Sequence, residues 1–113
     1  MGQDTTEYVI ELKVKSDSVT LSRNTRDIII SHKKWQLLDY MEGYYIQAKR
    51  RTGITNWSIL LSISLESVDG DIKTTVFGET YGKGPLIRSG LEKKITNEIV
   101  EPLRNSFLTP PHE

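Results

Sequence analysis

From Trp57 to Glu66 the sequence alternates without a break, with Trp57, Ile59, Leu61, Ile63 and Leu65 on one parity and Ser58, Leu60, Ser62, Ser64 and Glu66 on the other. A period of two places successive side chains on opposite faces of a strand, so this stretch predicts a strand with one apolar and one serine-rich face. Asp69-Gly70 follows as a turn pair, and Ile72 to Phe77 is expected to return antiparallel as the second arm of a hairpin. A chain built around such a hairpin must cover the apolar face with something else.

The same alternation recurs near the start, where Tyr8, Ile10, Leu12 and Val14 interleave with Val9, Glu11, Lys13 and Lys15 and predict another half-buried strand. Ser16-Asp17-Ser18 reads as a turn, Val19-Thr20-Leu21 as a short return strand, and Arg23-Asn24-Thr25-Arg26 as a loop. Ile28-Ile29-Ile30 is β-branched throughout and reads as a third strand. Ser31 is a good N-cap, and Leu37, Leu38, Met41, Tyr44, Tyr45 and Ala48 fall on one stripe at 100° per residue, predicting a first helix that ends at Lys49-Arg50-Arg51 before Gly53. After a loop from Gly78 to Pro85, Ser89 and Glu92 form a capping box for a second helix, which carries Leu91, Ile95, Ile99 and Val100 and is expected to kink or restart at Pro102. These readings together predict an α+β domain over residues 1–108 with a C-terminal tail at 109–113. Its antiparallel or mixed sheet carries two amphipathic helices on one face, in the order βββα-ββα.

One core is all that 113 residues allow at ordinary domain size. A hydrophobic fraction of 36% with 27% charged residues excludes a disordered chain. There is no cysteine, which removes disulfides, thiolate metal sites and thiol nucleophiles. The polar, acidic start lacks the features of a secretory signal, and no apolar run nears the roughly 20 residues of a membrane span, so a cytoplasmic protein is expected.

Catalytic chemistry finds little support. His32 and His112 have no nucleophile at a suggestive spacing. Asp71-Ile72-Lys73, with Glu66 across the hairpin, matches the acid and lysine of a magnesium-dependent nuclease strand, but the match spans three residues and Asp69 and Asp71 sit on a tight turn that favours acids for local hydrogen bonding. Gly78, Gly82, Lys83 and Gly84 lack the spacing and the Ser or Thr of a phosphate loop. The expectation is a protein that is not an enzyme, with no metal and no cofactor.

Charge is distributed unevenly although the chain is neutral overall. Residues 13–51 carry nine Lys or Arg against four acids, a net +5, while residues 1–12 carry −3 and residues 52–113 carry −2. The candidate phosphate contacts are Lys13, Lys15, Arg23, Arg26, Lys33, Lys34, Lys49, Arg50 and Arg51. Trp35, off the apolar stripe, and Trp57 could each stack on a base. The bland alternatives are scattered surface cations and a tryptophan packed at a sheet edge or interface.

The segment Ile28-Ile29-Ile30-Ser31-His32-Lys33-Lys34-Trp35-Gln36-Leu37-Leu38 resembles the strand-to-helix junction of the positive cofactor four coactivators and the related Whirly proteins. The resemblance implies a dimeric binder of single strands on a curved sheet, with Trp35 at an aromatic position that contacts the strand. The leading expectation is therefore a homodimeric protein that binds single-stranded DNA or RNA. The alternative is a protein-interaction or assembly module, such as a small viral or accessory factor, motivated by the off-stripe apolar residues Ile46, Leu60 and Phe77.

Overall fold

The computed structural model describes residues 5–51, 58–82 and 84–108. The alternating runs form strands as expected: β1 (Thr5–Val14), β4 (Ser58–Val68) and β5 (Asp71–Tyr81). Asp69 and Gly70 both take positive φ, 49° and 86°, the geometry a two-residue hairpin turn demands, and they join β4 to β5. Phe77 does not end β5. The strand runs on through Gly78 to Tyr81, into what the sequence reading assigned to a loop.

Between β1 and β4 the structure corrects the reading. Residues 18–31 are not strand, loop and strand but one helix, α1 (Ser18–Ser31). Asp17 caps it, its carboxylate accepting the Thr20 N–H at 2.7 Å. Leu21, Ser22, Thr25 and Ile29 form the buried face, and two of these are polar. The Thr25 hydroxyl donates back to Leu21 O at 2.8 Å, and Ser22 Oγ donates to Val19 O and accepts the Gly43 N–H, both at 2.9 Å. Both hydroxyls are thus satisfied inside the core.

The expected first helix is instead a hairpin, β2 (Trp35–Met41) and β3 (Tyr45–Arg51). Gly43, at φ +85°, sits in the turn, a conformation that costs glycine little and other residues more. The pairing slips between Leu37 and Asp39, so Leu38 is a bulge residue, 48% exposed. The full order is β-α-β-β-β-β-α, an α+β fold with one five-stranded antiparallel sheet in the spatial order β1-β5-β4-β3-β2.

The C-terminal helical run starts at Pro85, ahead of the expected capping box. It comprises α2 (Pro85–Ile95), a π-helical turn (Thr96–Val100) and α3 (Glu101–Leu108). Pro102, which has no N–H to give, stands in the first turn of α3, directly after the wide turn. All the helices cover one face of the sheet. Leu21 and Ile29 of α1, and Leu91, Ile95, Ile99, Val100 and Leu103 of the C-terminal run, close over Ile46, Ala48, Ile59, Leu61, Ile63 and Val76. Gly78 lets the helix come close, since a Cβ there would overlap Ile95 Cδ1. No helix of the described residues lies on the sheet's other face.

Candidate functional site

The α1 to β2 connection places Lys33 and Lys34 beside the far end of β3, because Trp35 pairs with Arg50 and the Arg51 N–H donates to Lys34 O at 2.9 Å. This corner of the sheet holds a cleft of about 240 Å³ lined by Lys33, Lys34, Trp35, Gln36, Lys49, Arg50 and Arg51. No acidic side chain among the described residues lines it. Lys33, Lys34, Lys49 and Arg51 are exposed, and none of them forms an ion pair with a described residue.

The fifth cation plays a different part. Arg50 alternates with Ile46 and Ala48 on the inner face and is 5% exposed. Its Nε and Nη2 donate to the two carboxylate oxygens of Glu98 at 2.6 and 2.7 Å, a bidentate pair, and Nη1 donates to Arg51 O at 2.9 Å. The Trp35 indole N–H donates to the same carboxylate at 2.8 Å, and His32 Nε2 lies 3.8 Å from it. Burial by itself would raise the Glu98 carboxyl, but the hydrogen bonds from Arg50 and Trp35 outweigh it and hold the group below its ordinary value of 4.5. Glu98 thus neutralises Arg50, fixes the cleft floor and ties the β2–β3 hairpin to the π turn.

Four of the expected site residues therefore line one cleft without an ion pair to a described residue: Lys33, Lys34, Lys49 and Arg51. Trp35 and Arg50 line the same cleft but are committed to Glu98. The Trp35 ring is 5% exposed, so its face is not open to a base. Lys13 and Lys15 lie on and just after β1, at the opposite edge of the sheet. Arg23 pairs with Glu42 at 3.1 Å, while Arg26 pairs with Asp27 at 3.2 Å and stands 5.2 Å over the Tyr40 ring. Trp57, Lys83, Gly53, His112 and the 109–113 tail lie outside the described residues. Of the nuclease-like residues, Lys73 is registered opposite Glu66 but reaches Glu11 at 3.5 Å, and no group of three His, Asp or Glu able to hold a metal occurs among the described residues.

Sequence reasoning missed Glu98. A signal was present: a buried indole needs an acceptor, and the parity of Ile46, Ala48 and Arg50 turns a cation inward, where it needs a carboxylate. The segment Ile28 to Leu38, read as a strand entering a helix, is a helix entering a strand.

No protein-family model matches the chain, and no curated protein matches it. Solved structures share its fold. A putative uncharacterized protein from Rhizobium leguminosarum superposes at a TM-score of 0.62 over 90% of this chain and 93% of its own, with 12% identity. The Mll3558 protein from Rhizobium loti gives 0.64 over 91% and 97%, with 11% identity. Ara h 8.0201 gives 0.56 over 94% and 99%, with 14% identity. None of these three is a positive cofactor four or Whirly structure.

Proposed function

We propose that this chain is a non-enzymatic binding module that holds the phosphates of a single-stranded DNA or RNA in the cationic cleft at the β2–β3 corner. The observation that carries the reading is that Lys33, Lys34, Lys49 and Arg51 line one cleft to which no described acidic residue contributes. Unpaired cations held this close together raise each other's energy, and a polyanion relieves that repulsion while releasing its own counterions. A single strand suits the site because the cleft is small, about 240 Å³. Recognition through phosphate carries no base information, so binding is expected to be tolerant of sequence.

The protein-interaction alternative loses part of its motive. Ile46 is fully buried within the one chain and Phe77 is half-buried, while Leu60 stays 46% exposed.

Fluorescence anisotropy with labelled single-stranded and duplex oligonucleotides tests the proposal. Four phosphate contacts at about 0.7 counterions each predict affinity falling about 50-fold between 50 and 200 mM salt. Lys34→Ala is expected to weaken binding for every sequence and to lower the salt slope by about 0.7. Trp35→Phe, which keeps an aromatic side chain of smaller size and loses the Glu98 bond, should leave the slope unchanged. Absence of binding at low salt would overturn the proposal.

A further inference from the structure

The sheet face turned away from the helices carries charge in a pattern that repeats across its middle strand. Residues directly opposite one another in antiparallel pairs share a face, so the register Glu7↔Glu79, Glu79↔Leu60 and Leu60↔Lys49, with Lys49 facing Gln36, lays out one row across all five strands. Glu7 and Glu79 occupy the β1–β5 side of the row, Lys49 the β3 side, and Leu60 the centre, on the third strand of five. Neither Glu7, Glu79 nor Lys49 forms an ion pair with a described residue. Two residues further along their strands stand Tyr81 on the acidic side, 50% exposed, and Arg51 on the basic side. Ser62 and Ser64 continue the central strand beyond Leu60 with small side chains.

We infer that this open face binds a second copy of the same chain, the two sheets packing face to face about a two-fold axis that runs along β4. Such an axis exchanges left and right while keeping each row at its own level. Glu79 of each copy then lies over Lys49 of the other, Arg51 over Tyr81, and the two Leu60 side chains meet on the axis, with the serines allowing close approach. An isologous contact needs a self-complementary surface, and this row supplies one. Apolar Leu60 sits at its centre and the opposite charges are matched on both sides.

The extent is adequate. Strands of 10, 7, 7, 11 and 11 residues, at a spacing of about 4.8 Å and a rise of about 3.3 Å, give a face of about 730 Å², close to the ~800 Å² per partner of a standard interface. Sheet twist draws the contact toward β5, β4 and β3, so the association is reversible rather than obligate. Lys49 and Arg51 also line the cationic cleft, so a nucleic acid and a second copy exclude each other at these two residues.

Sedimentation equilibrium across a concentration series at low salt tests the inference. The wild-type chain is expected to pass from monomer to dimer, whereas Lys49→Glu and Glu79→Lys are each expected to stay monomeric at concentrations where the wild type is mostly dimer. Mixing these two variants brings Glu opposite Glu nowhere and Lys opposite Lys nowhere, so a one-to-one heterodimer should form. A wild type monomeric throughout the series overturns the inference, and so does a dimer whose two variants fail to rescue each other on mixing. Leu60→Ser, which leaves every cleft cation in place, is expected to lose the dimer while keeping oligonucleotide binding. Loss of oligonucleotide binding in a wild type that still dimerises would count against the cleft and leave this face standing.

Discussion

Replacing Glu98 with Gln preserves the size of the side chain and removes only its charge. In the folded chain the carboxylate accepts three hydrogen bonds at 2.6 to 2.8 Å, two from Arg50 and one from Trp35. A glutamine can accept at one of those positions, but its amide nitrogen at the other must face an Arg50 donor. Arg50, 5% exposed, then keeps its charge with no anion beside it. Breaking a buried pair on one side costs about 3–5 kcal/mol, and the 20% exposure of Glu98 together with the remaining Arg50 bond to Arg51 O places this case near 3 kcal/mol. For a domain of this size that corresponds to a Tm lowered by about 12 °C.

The pH dependence follows from the direction of the shift. A carboxyl held below its ordinary value of 4.5 in the folded chain binds protons more readily once unfolded, so its contribution is complete above 4.5 and is lost as pH falls through the lower folded value. The gap between wild type and Glu98→Gln, measured by urea unfolding, should be widest near neutrality and should close on acidification below about 4.5. A gap under about 0.5 kcal/mol at pH 7, or one that acid leaves unchanged, would refute the assignment of Glu98 as the group that neutralises Arg50.

Other perturbations test the packing. Gly78→Ala forces a Cβ against Ile95 and should cost about 1 kcal/mol, with Ile95→Val recovering most of it. Thr74 Oγ1 is buried and has no hydrogen-bond partner among the described residues, so Thr74→Val, nearly the same shape, should raise stability by about 1 kcal/mol in urea unfolding. Ile99→Ala, which opens a cavity at a fully buried position of the π turn, is expected to cost about 2–5 kcal/mol by the same assay.

Strands whose apolar residues keep strict alternation were legible from sequence, and β1, β4, β5 and the Asp69-Gly70 turn follow from local pattern alone. The α1 helix was not, because its inward stripe includes Ser22 and Thr25, whose hydroxyls are satisfied only once the fold supplies Val19 O, Leu21 O and Gly43 N. Its last turn is Ile28-Ile29-Ile30, locally a strand-forming triplet, and tertiary burial of Ile29 overrides that preference. The β2–β3 hairpin also fits a helical period, and the bulge at Leu38 breaks the alternation that would have revealed it. Gly43 was the discriminating residue, costly in a helix and at ease in the turn. At the candidate site the cluster of cations was visible, but the commitment of Arg50 and of the neighbouring Trp35 was not. That depends on Glu98, 48 residues beyond Arg50 in the chain.

The π turn sets the rotational phase of everything after it. Leu91 and Leu103, both buried on the sheet, are twelve residues apart, and at 100° per residue an uninterrupted α-helix would leave them about 120° out of line. A π turn absorbs one residue, so the interval counts as eleven, within about 20° of three full turns, and Leu103 returns to the face that Leu91 began. The molecule therefore depends on the number of residues in this stretch as well as on their kinds. Removing one residue between Thr96 and Val100 should therefore restore regular helix with Leu103 still within about 20° of Leu91, whereas adding one there should turn Leu103 by about 100° away from the sheet, so an insertion is expected to be far more damaging than a deletion.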